Sequence, residues 1–215
     1  MPAGWDLTSA ICSDGSSIGA ISLQAGEKVT CTFNNQADAF IIVQKETDPD
    51  GDPTIFDFDT DYDSGDLDLA DGGSNTSSDL APGTYSVAEN VPAGWDLTSA
   101  TCDDGSPVGA ISLQAGETVT CTFTNTKRGT ITIVKDADPN DLIDFSFNGT
   151  APIGAFQLDD DAAVFGADAV LSNSQSFPNL IPTNYTVTET LPNSFWTFVG
   201  VTCVNTVGGT PYTNV

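Results

Sequence analysis

Histidine is absent from these 215 residues. Without imidazole there is no Ser–His or Cys–His arrangement to activate a nucleophile, and the commonest metal ligand is missing. Basic residues are nearly as scarce: five Lys and Arg stand against 30 Asp and Glu, a formal net charge of −25. A chain this acidic is repelled by nucleic acid and by anionic membrane surfaces, while it attracts cations. No run approaches the ~18 consecutive apolar residues of a membrane helix, so membrane insertion of this segment is not expected. Nor does any segment show a helical apolar period of useful length. Disorder is excluded by the balance of the rest, since 39% of residues are apolar and only 16% are charged.

What is present is repetition. The string PAGWDLTSA occurs at 2–10 and again at 92–100, and residues 2–35 agree with 92–125 at 28 of 34 positions. The register continues from AFIIVQKETDPD (39–50) to GTITIVKDADPN (129–140) at an offset of 90. PGTYSVAENVP (82–92) then matches PTNYTVTETLP (182–192) at an offset of 100, so the later copy carries an insertion. The division expected is the C-terminal part of one unit in 1–38, a complete unit in 39–128, and a unit lacking its final strand in 129–215. Units of this size suit one small domain each. Met1 falls inside a unit, so the expectation is an excerpt of a longer array or ends completed by other chains, with continuation preferred. No signal peptide precedes Met1, and any export address is expected elsewhere.

The strands are legible from alternation. ETVTCTFTN places Val119, Cys121 and Phe123 on one face and threonines on the other. TYSVAE pairs Tyr85 with Val87, IFDFD pairs Phe56 with Phe58, and PDGD, ADGG, APG, PAG and QAG turns separate such runs. Row upon row of short strands predicts all-β sandwich domains. Cys12 and Cys31 are 19 apart, as are Cys102 and Cys121. Paired thiols that repeat with the unit read as one disulfide per domain and an oxidising compartment, with buried free thiols as the alternative. Zinc spacing would put them two to four residues apart. Cys203 aligns with Cys102, and its partner belongs to a strand this chain lacks.

These strands resemble a known family. A Lys closing the first strand (VQKETD, IVKDAD), a PGTYSVAE or PTNYTVTE strand with Pro-x-x-Trp behind it, and a final TCTFTN strand are similar to the prealbumin-like fold. That is the Cna B-type or SpaA-like repeat domain of bacterial surface and pilus proteins. The resemblance implies tandem prealbumin-like (Ig-like) β-sandwiches arranged as beads on a string, in stalks, pili and adhesins. It also implies a spontaneous Lys–Asn isopeptide bond promoted by an acidic residue. Strand parity supplies candidates for that bond. Lys45 shares a face with Ile41 and Val43, Glu89 follows Tyr85 and Val87 inward, and Asn125 continues the series Val119, Cys121, Phe123. Lys135 and Glu189 repeat part of the set. A buried ammonium deprotonates easily into a nucleophile, and a carboxyl of raised pKa polarises a neighbouring amide. The competing reading is a Lys–Glu ion pair at the sandwich rim.

The segment DPDGDPTIFDFDTDYDSGDLDLAD (48–71) concentrates aspartate. Asp48, Asp50 and Asp52 have the alternating spacing of a Ca²⁺ loop, while Asp57, Asp59, Asp66 and Asp68 would crowd one face if their strands pair. Asp136, Asp138 and Asp141 occupy the equivalent place in the later unit, with Asp159, Asp160 and Asp161 further on. Calcium is therefore expected, although the terminal Glu of an EF-hand is missing; a solvated acidic face is the alternative. Sequons at Asn75, Asn148 and Asn184 predict glycosylation. No enzyme is expected, because carboxylate pairs of the glycosidase kind sit on turns that differ between units. The function expected is an extracellular structural segment of a cell-surface, pilus-like fibre or stalk, partnered head to tail by copies of itself and carrying covalent glycans. The alternative is a Ca²⁺-dependent adhesin binding host or matrix glycans, for which Phe195, Trp196 and AAVFGADAV (162–170) are the candidate surface.

Overall fold

The computed structural model describes residues 3–65, 67–139, 143–160 and 171–204, and the backbone of 211–214. They fall into two compact units, Met1–Lys127 and Arg128–Val215. Every element is a strand: β1 (Trp5–Cys12), β2 (Cys31–Ala37), β3 (Phe40–Asp48), β4 (Phe56–Thr60), β5 (Leu67–Leu69), β6 (Ser74–Thr76), β7 (Gly83–Tyr85), β8 (Val87–Asn90), β9 (Trp95–Cys102), β10 (Ile111–Leu113) and β11 (Thr118–Lys127) in the first unit. The second holds β12 (Gly129–Val134), β13 (Phe145–Gly149), β14 (Gly154–Leu158), β15 (Ser174–Leu180), β16 (Val187–Thr190), β17 (Val201–Val204) and β18 (Pro211–Asn214).

Residues 39–127 form the sandwich that the alternation requires. One sheet runs β6-β3-β11-β9, the other β5-β4-β8, and β7 pairs with β10. The inward residues of β3 (Ile41, Val43) and β11 (Val119, Cys121, Phe123) meet Phe56 and Phe58 of β4, with Trp95, Ile111 and Leu113 closing the core. Edge-to-face contacts tie the two layers: Phe56 to Trp95 at 5.2 Å and Phe58 to Phe123 at 5.1 Å between ring centroids. Each of these buried side chains contributes about 1.5–3 kcal/mol relative to exposure.

First and last strands are neighbours. β3 and β11 pair in parallel over nine residues, from Phe40↔Thr118 to Asp48↔Thr126. The TYSVAE run, expected as one strand, is broken at Ser86. Its N–H donates to Asp61 Oδ1, and the chain passes from the β7–β10 pair to the β4–β8 sheet at that point.

The repeated sequence gives repeated structure. β1–β2 has the register of β9–β11 position by position, from Trp5↔Ala37 and Trp95↔Lys127 to Cys12↔Cys31 and Cys102↔Cys121. Even the irregularity at Thr8 and Thr98 recurs, each hydroxyl donating to the carbonyl opposite, Asn34 or Thr124. Both cysteine pairs are disulfide-bonded, and Cys203 is free and exposed. Among the described residues, however, the hairpin forms a two-stranded sheet with no second sheet behind it. Trp5 is 47% exposed where Trp95 is 6%, and Phe33 is 54% exposed where Phe123 is 1%.

The second unit rebuilds most of the sandwich. β12–β15 corresponds to β3–β6, and β14-β13-β16 to β5-β4-β8. Its core gathers Phe145, Phe147 and Leu158, with Trp196 edge-on to Phe145 at 5.0 Å, as Trp95 is to Phe56. The β17–β18 pair stands apart from these sheets, and its β17 residues are exposed. Among the described residues no strand occupies the place beside β12 that β11 fills beside β3.

Candidate functional site

The alternation that buries Ile41 and Val43 also carries Lys45 inward, because side chains on a strand return to one face every second residue. Lys45 and Asn125 are both 0% exposed. Glu89, two residues beyond the buried Val87 on β8, has a fully buried side chain as well. Three strands from two sheets thus aim three polar groups at one point.

The geometry is close. Lys45 Nζ donates to Asn125 Oδ1 at 2.8 Å, to the Glu46 carbonyl at 2.6 Å and to the Phe123 carbonyl at 3.3 Å. These use all three ammonium donors. Nζ lies 3.6 Å from Glu89 Oε1 and 4.1 Å from the centre of the Phe56 ring. Neither Glu89 oxygen nor Asn125 Nδ2 makes a hydrogen bond of standard geometry. Buried polar atoms left this way cost about 1–3 kcal/mol each, so the arrangement is poorly explained as a stabilising ion pair.

Electrostatics push both ionisable partners toward neutrality. Burial lowers the Lys45 pKa from its ordinary 10.5, against the pull of Glu89, Asp71 and Glu46. Burial raises Glu89 from 4.5, against the Asn125 amide and Lys45. A proton moved from Lys45 to Glu89 therefore leaves a free amine against an amide and a carboxylic acid within the same dry pocket. That is the set of parts required for amide exchange.

The second unit assembles two of the three. Lys135 Nζ lies 3.1 Å from Glu189 Oε1, 3.3 Å from the Asp136 carbonyl and 4.1 Å from the Phe145 ring centre. These side chains are 14% and 12% exposed, not sealed, and among the described residues no strand pairs with β12 as β11, which carries Asn125, pairs with β3.

The acidic residues are placed differently from one another. Asp52 accepts from Lys127 Nζ at 2.6 Å and from Thr54, and Lys127 foremost holds its carboxyl down at about 2. Asp57 and Asp59 share the Asn90 amide, at 2.7 and 3.0 Å, and Asp57 faces Asp68 across β4–β5. Asp48 ends β3, while Asp50, Asp136 and Asp138 lie in the loops after β3 and β12; all four are exposed. Asp66, Asp141 and Asp161 lie outside the described residues. Among the described residues no three of His, Cys, Asp or Glu converge as a metal-holding group. Asn75, Asn148 and Asn184 are all exposed. So is Phe195, whereas Trp196 packs on Phe145; 162–170 lie outside the described residues.

Sequence reasoning missed Asp71 as part of the site's frame. Its two oxygens accept from Thr47 N at 2.6 Å and Gly51 N at 2.7 Å, clamping the turn that follows Lys45. Gly51 has φ +77°, which a side chain would resist. Asp160 does the same in the second unit, accepting from Ala137 N at 2.6 Å; it and Asp159 are buried. What the two aspartates share is the donor, the backbone N–H two residues past the lysine, and their own spacing in the sequence gives no sign of it.

Residues 41–127 match the family described as prealbumin-like fold domain. Two solved structures are similar at low identity. The Bacillus anthracis TIE protein shares 17% identity over 87% of this chain and 34% of that one, with a TM-score of 0.36. The C-terminal fragment of pilus adhesin SpaC from Lactobacillus rhamnosus GG shares 16% over 72% of this chain and 75% of that one, with a TM-score of 0.29. This chain thus spans about a third of the first of these. Among curated proteins none matches.

Proposed function

We propose, from the premise that residues 41–127 are a prealbumin-like fold domain, that this segment is a load-bearing module of an extracellular fibre or stalk, locked by an isopeptide bond between Lys45 and Asn125. The observation that carries the reading is the buried contact of Lys45 Nζ with the Asn125 side chain at 2.8 Å beside Glu89. The neutral Lys45 amine attacks Asn125 Cγ while the protonated Glu89 polarises the amide oxygen. A new Nζ–Cγ bond forms, the Cγ–Nδ2 bond breaks, and Nδ2 leaves as ammonia after taking a proton from Nζ through Glu89.

Mechanically the position matters. Tension entering at β3 and leaving at β11 passes through the bond, so residues 46–124 drop out of the load path. The disulfides support an oxidising, extracellular setting, and the reading needs no cofactor. Cations, calcium included, are proposed to act on the acidic face of β4–β5, where they relieve repulsion between Asp57, Asp59 and Asp68. Glycans at the exposed Asn75, Asn148 and Asn184 fit the same surface role.

Single-molecule stretching of the chain from its two ends tests the proposal. The expected trace has no extension event from within residues 46–124 in the native chain and gains one in Lys45→Ala, shorter by the stretch that the Cys102–Cys121 disulfide closes off. The same event in the native chain would refute a locked module.

A further inference from the structure

The strand that faces Asn125 does not run straight. Cys102 and Trp95 are both buried, yet they lie seven residues apart on β9, and an odd spacing puts two side chains of a regular strand on opposite faces. The register accounts for it. β9 pairs with β11 from Cys102↔Cys121 to Ser99↔Thr124 and resumes from Leu97↔Asn125 to Trp95↔Lys127, so Thr98 is an extra residue with nothing opposite. That bulge turns the parity of β9 over. One strand can then hold the disulfide near one end and, at the other, lay Trp95 edge-on to Phe56 at 5.2 Å. Phe56 in turn covers Lys45 Nζ, 4.1 Å from its ring centre.

Thr98 also ties down the place where the bulge interrupts the ladder. Its hydroxyl donates to the Thr124 carbonyl at 3.0 Å and lies 3.3 Å from the Thr126 hydroxyl. Thr124 and Thr126 stand on either side of Asn125, and the register shifts between Thr124 and Asn125. One exposed side chain thus holds both flanks of the residue whose Cγ is the electrophile in the reaction proposed above. The same shift recurs in β1–β2, between Leu7 and Ser9. There the Thr8 hydroxyl donates at 3.1 Å to the carbonyl of Asn34, the residue before Asn35. The WDLTSA sequence common to β1 and β9 therefore carries the bulge.

We infer that Thr98 is a positioning residue for the bond between Lys45 and Asn125, setting the place of Asn125 Cγ relative to Lys45 Nζ through the backbone of β11. The role rests on the isopeptide reading above. Attack on an amide is sensitive to placement, and a displacement of about 1 Å costs on the order of 100-fold in rate. Asn125 reaches its partners directly from the β11 backbone, so drift of Thr124–Thr126 carries Cγ away from Nζ. β9 is also an edge of its sheet, where a bulge keeps other strands from pairing. That lesser role by itself predicts no effect on the bond.

The test times the loss of ammonia by intact mass, using the full 215-residue chain refolded with both disulfides already formed. Samples are read without denaturant, once tryptophan fluorescence shows folding complete, so a change of stability alone leaves the rate unaltered. Thr98→Val removes the hydroxyl and keeps the branched shape; it is expected to react roughly 10-fold more slowly than the native chain. Thr98→Ala is expected to be at least as slow. Thr98→Ser, which keeps the donor, is expected to stay within about threefold of the native rate. The pH of fastest reaction is expected to be the same in all of them, since Lys45 and Glu89 keep their surroundings. A native rate in Thr98→Val, a serine variant as slow as the valine one, or a shifted pH optimum overturns the positioning role while the bond itself stands. A native chain that keeps its full mass removes the bond and the role together.

Discussion

Lys45 and Lys135 sit at the ends of equivalent strands, each beside a glutamate and each with its Nζ 4.1 Å from the centre of a phenylalanine ring. The first pair is sealed, with both side chains 0% exposed, and the second is 14% and 12% exposed. What separates them is one strand. β11 lays Phe123 and Asn125 over Lys45, drives out water and brings the electrophile, whereas β12 has no such neighbour among the described residues. The lysine–glutamate pair is therefore common to both units, and in the function proposed above it is the final strand that makes it a reactive site.

Removing each lysine breaks the comparison most severely. Lys45→Ala is expected to lower stability of the first unit by about 4 kcal/mol or more, the constraint lost with a long covalent loop. Lys135→Ala is expected to change the second unit by less than about 1 kcal/mol, as for partly exposed pairs. Urea denaturation of the two variants measures both. Equal effects would show that the seal made by β11 is unimportant.

Glu89→Gln sharpens the same contrast without disturbing shape. Its expected outcome is a folded domain that keeps the full mass of Lys45 and Asn125, because no acid remains to polarise the amide. Glu189→Gln is expected to leave the monomer's mass as it was.

Asp71→Ala and Asp160→Ala should instead behave alike. Both remove the acceptor of the backbone N–H two residues past the lysine, and both are expected to lower the urea midpoint by less than Lys45→Ala does. The Asp71 carboxyl is depressed, by Gly51 N first and then Thr47, below its ordinary 3.8. Its contribution is thus complete above pH 3.8 and lost as pH falls below it.

The pH dependence of bond formation after refolding follows from the pair holding one proton. Below the raised value of Glu89 both groups are protonated and the amine is blocked; above the lowered value of Lys45 both have lost their proton and the acid is gone. A bell-shaped rate is expected, with both limbs inside the interval from 4.5 to 10.5. Mass spectrometry of timed samples follows it. Calcium should matter least. Added to the native chain, it is expected to raise the melting temperature only slightly more than magnesium, through Asp57, Asp59 and Asp68.

Much of this was legible because strands have a period of two. That parity alone aimed Lys45, Glu89 and Asn125 inward, and the repeat alone paired the cysteines. Strand order was not legible, since nothing local in VQKETD or TCTFTN says that they lie side by side and parallel. Asp160 was misleading for a related reason. In a row of three aspartates it reads as a calcium candidate or part of a solvated face, yet it is buried and accepts from the Ala137 N–H, just past β12. The break at Ser86 was hidden as well, because Tyr85 and Val87 keep their parity while the chain changes sheets.

The central claim is tested most directly by the intact mass of the folded, reduced 215-residue chain, with the Lys45 and Asn125 peptides then sought as one branched species. The account predicts a monomer mass short of the sequence by one ammonia, restored in Lys45→Ala. A full sequence mass in the native chain, with the two peptides released separately, would contradict it.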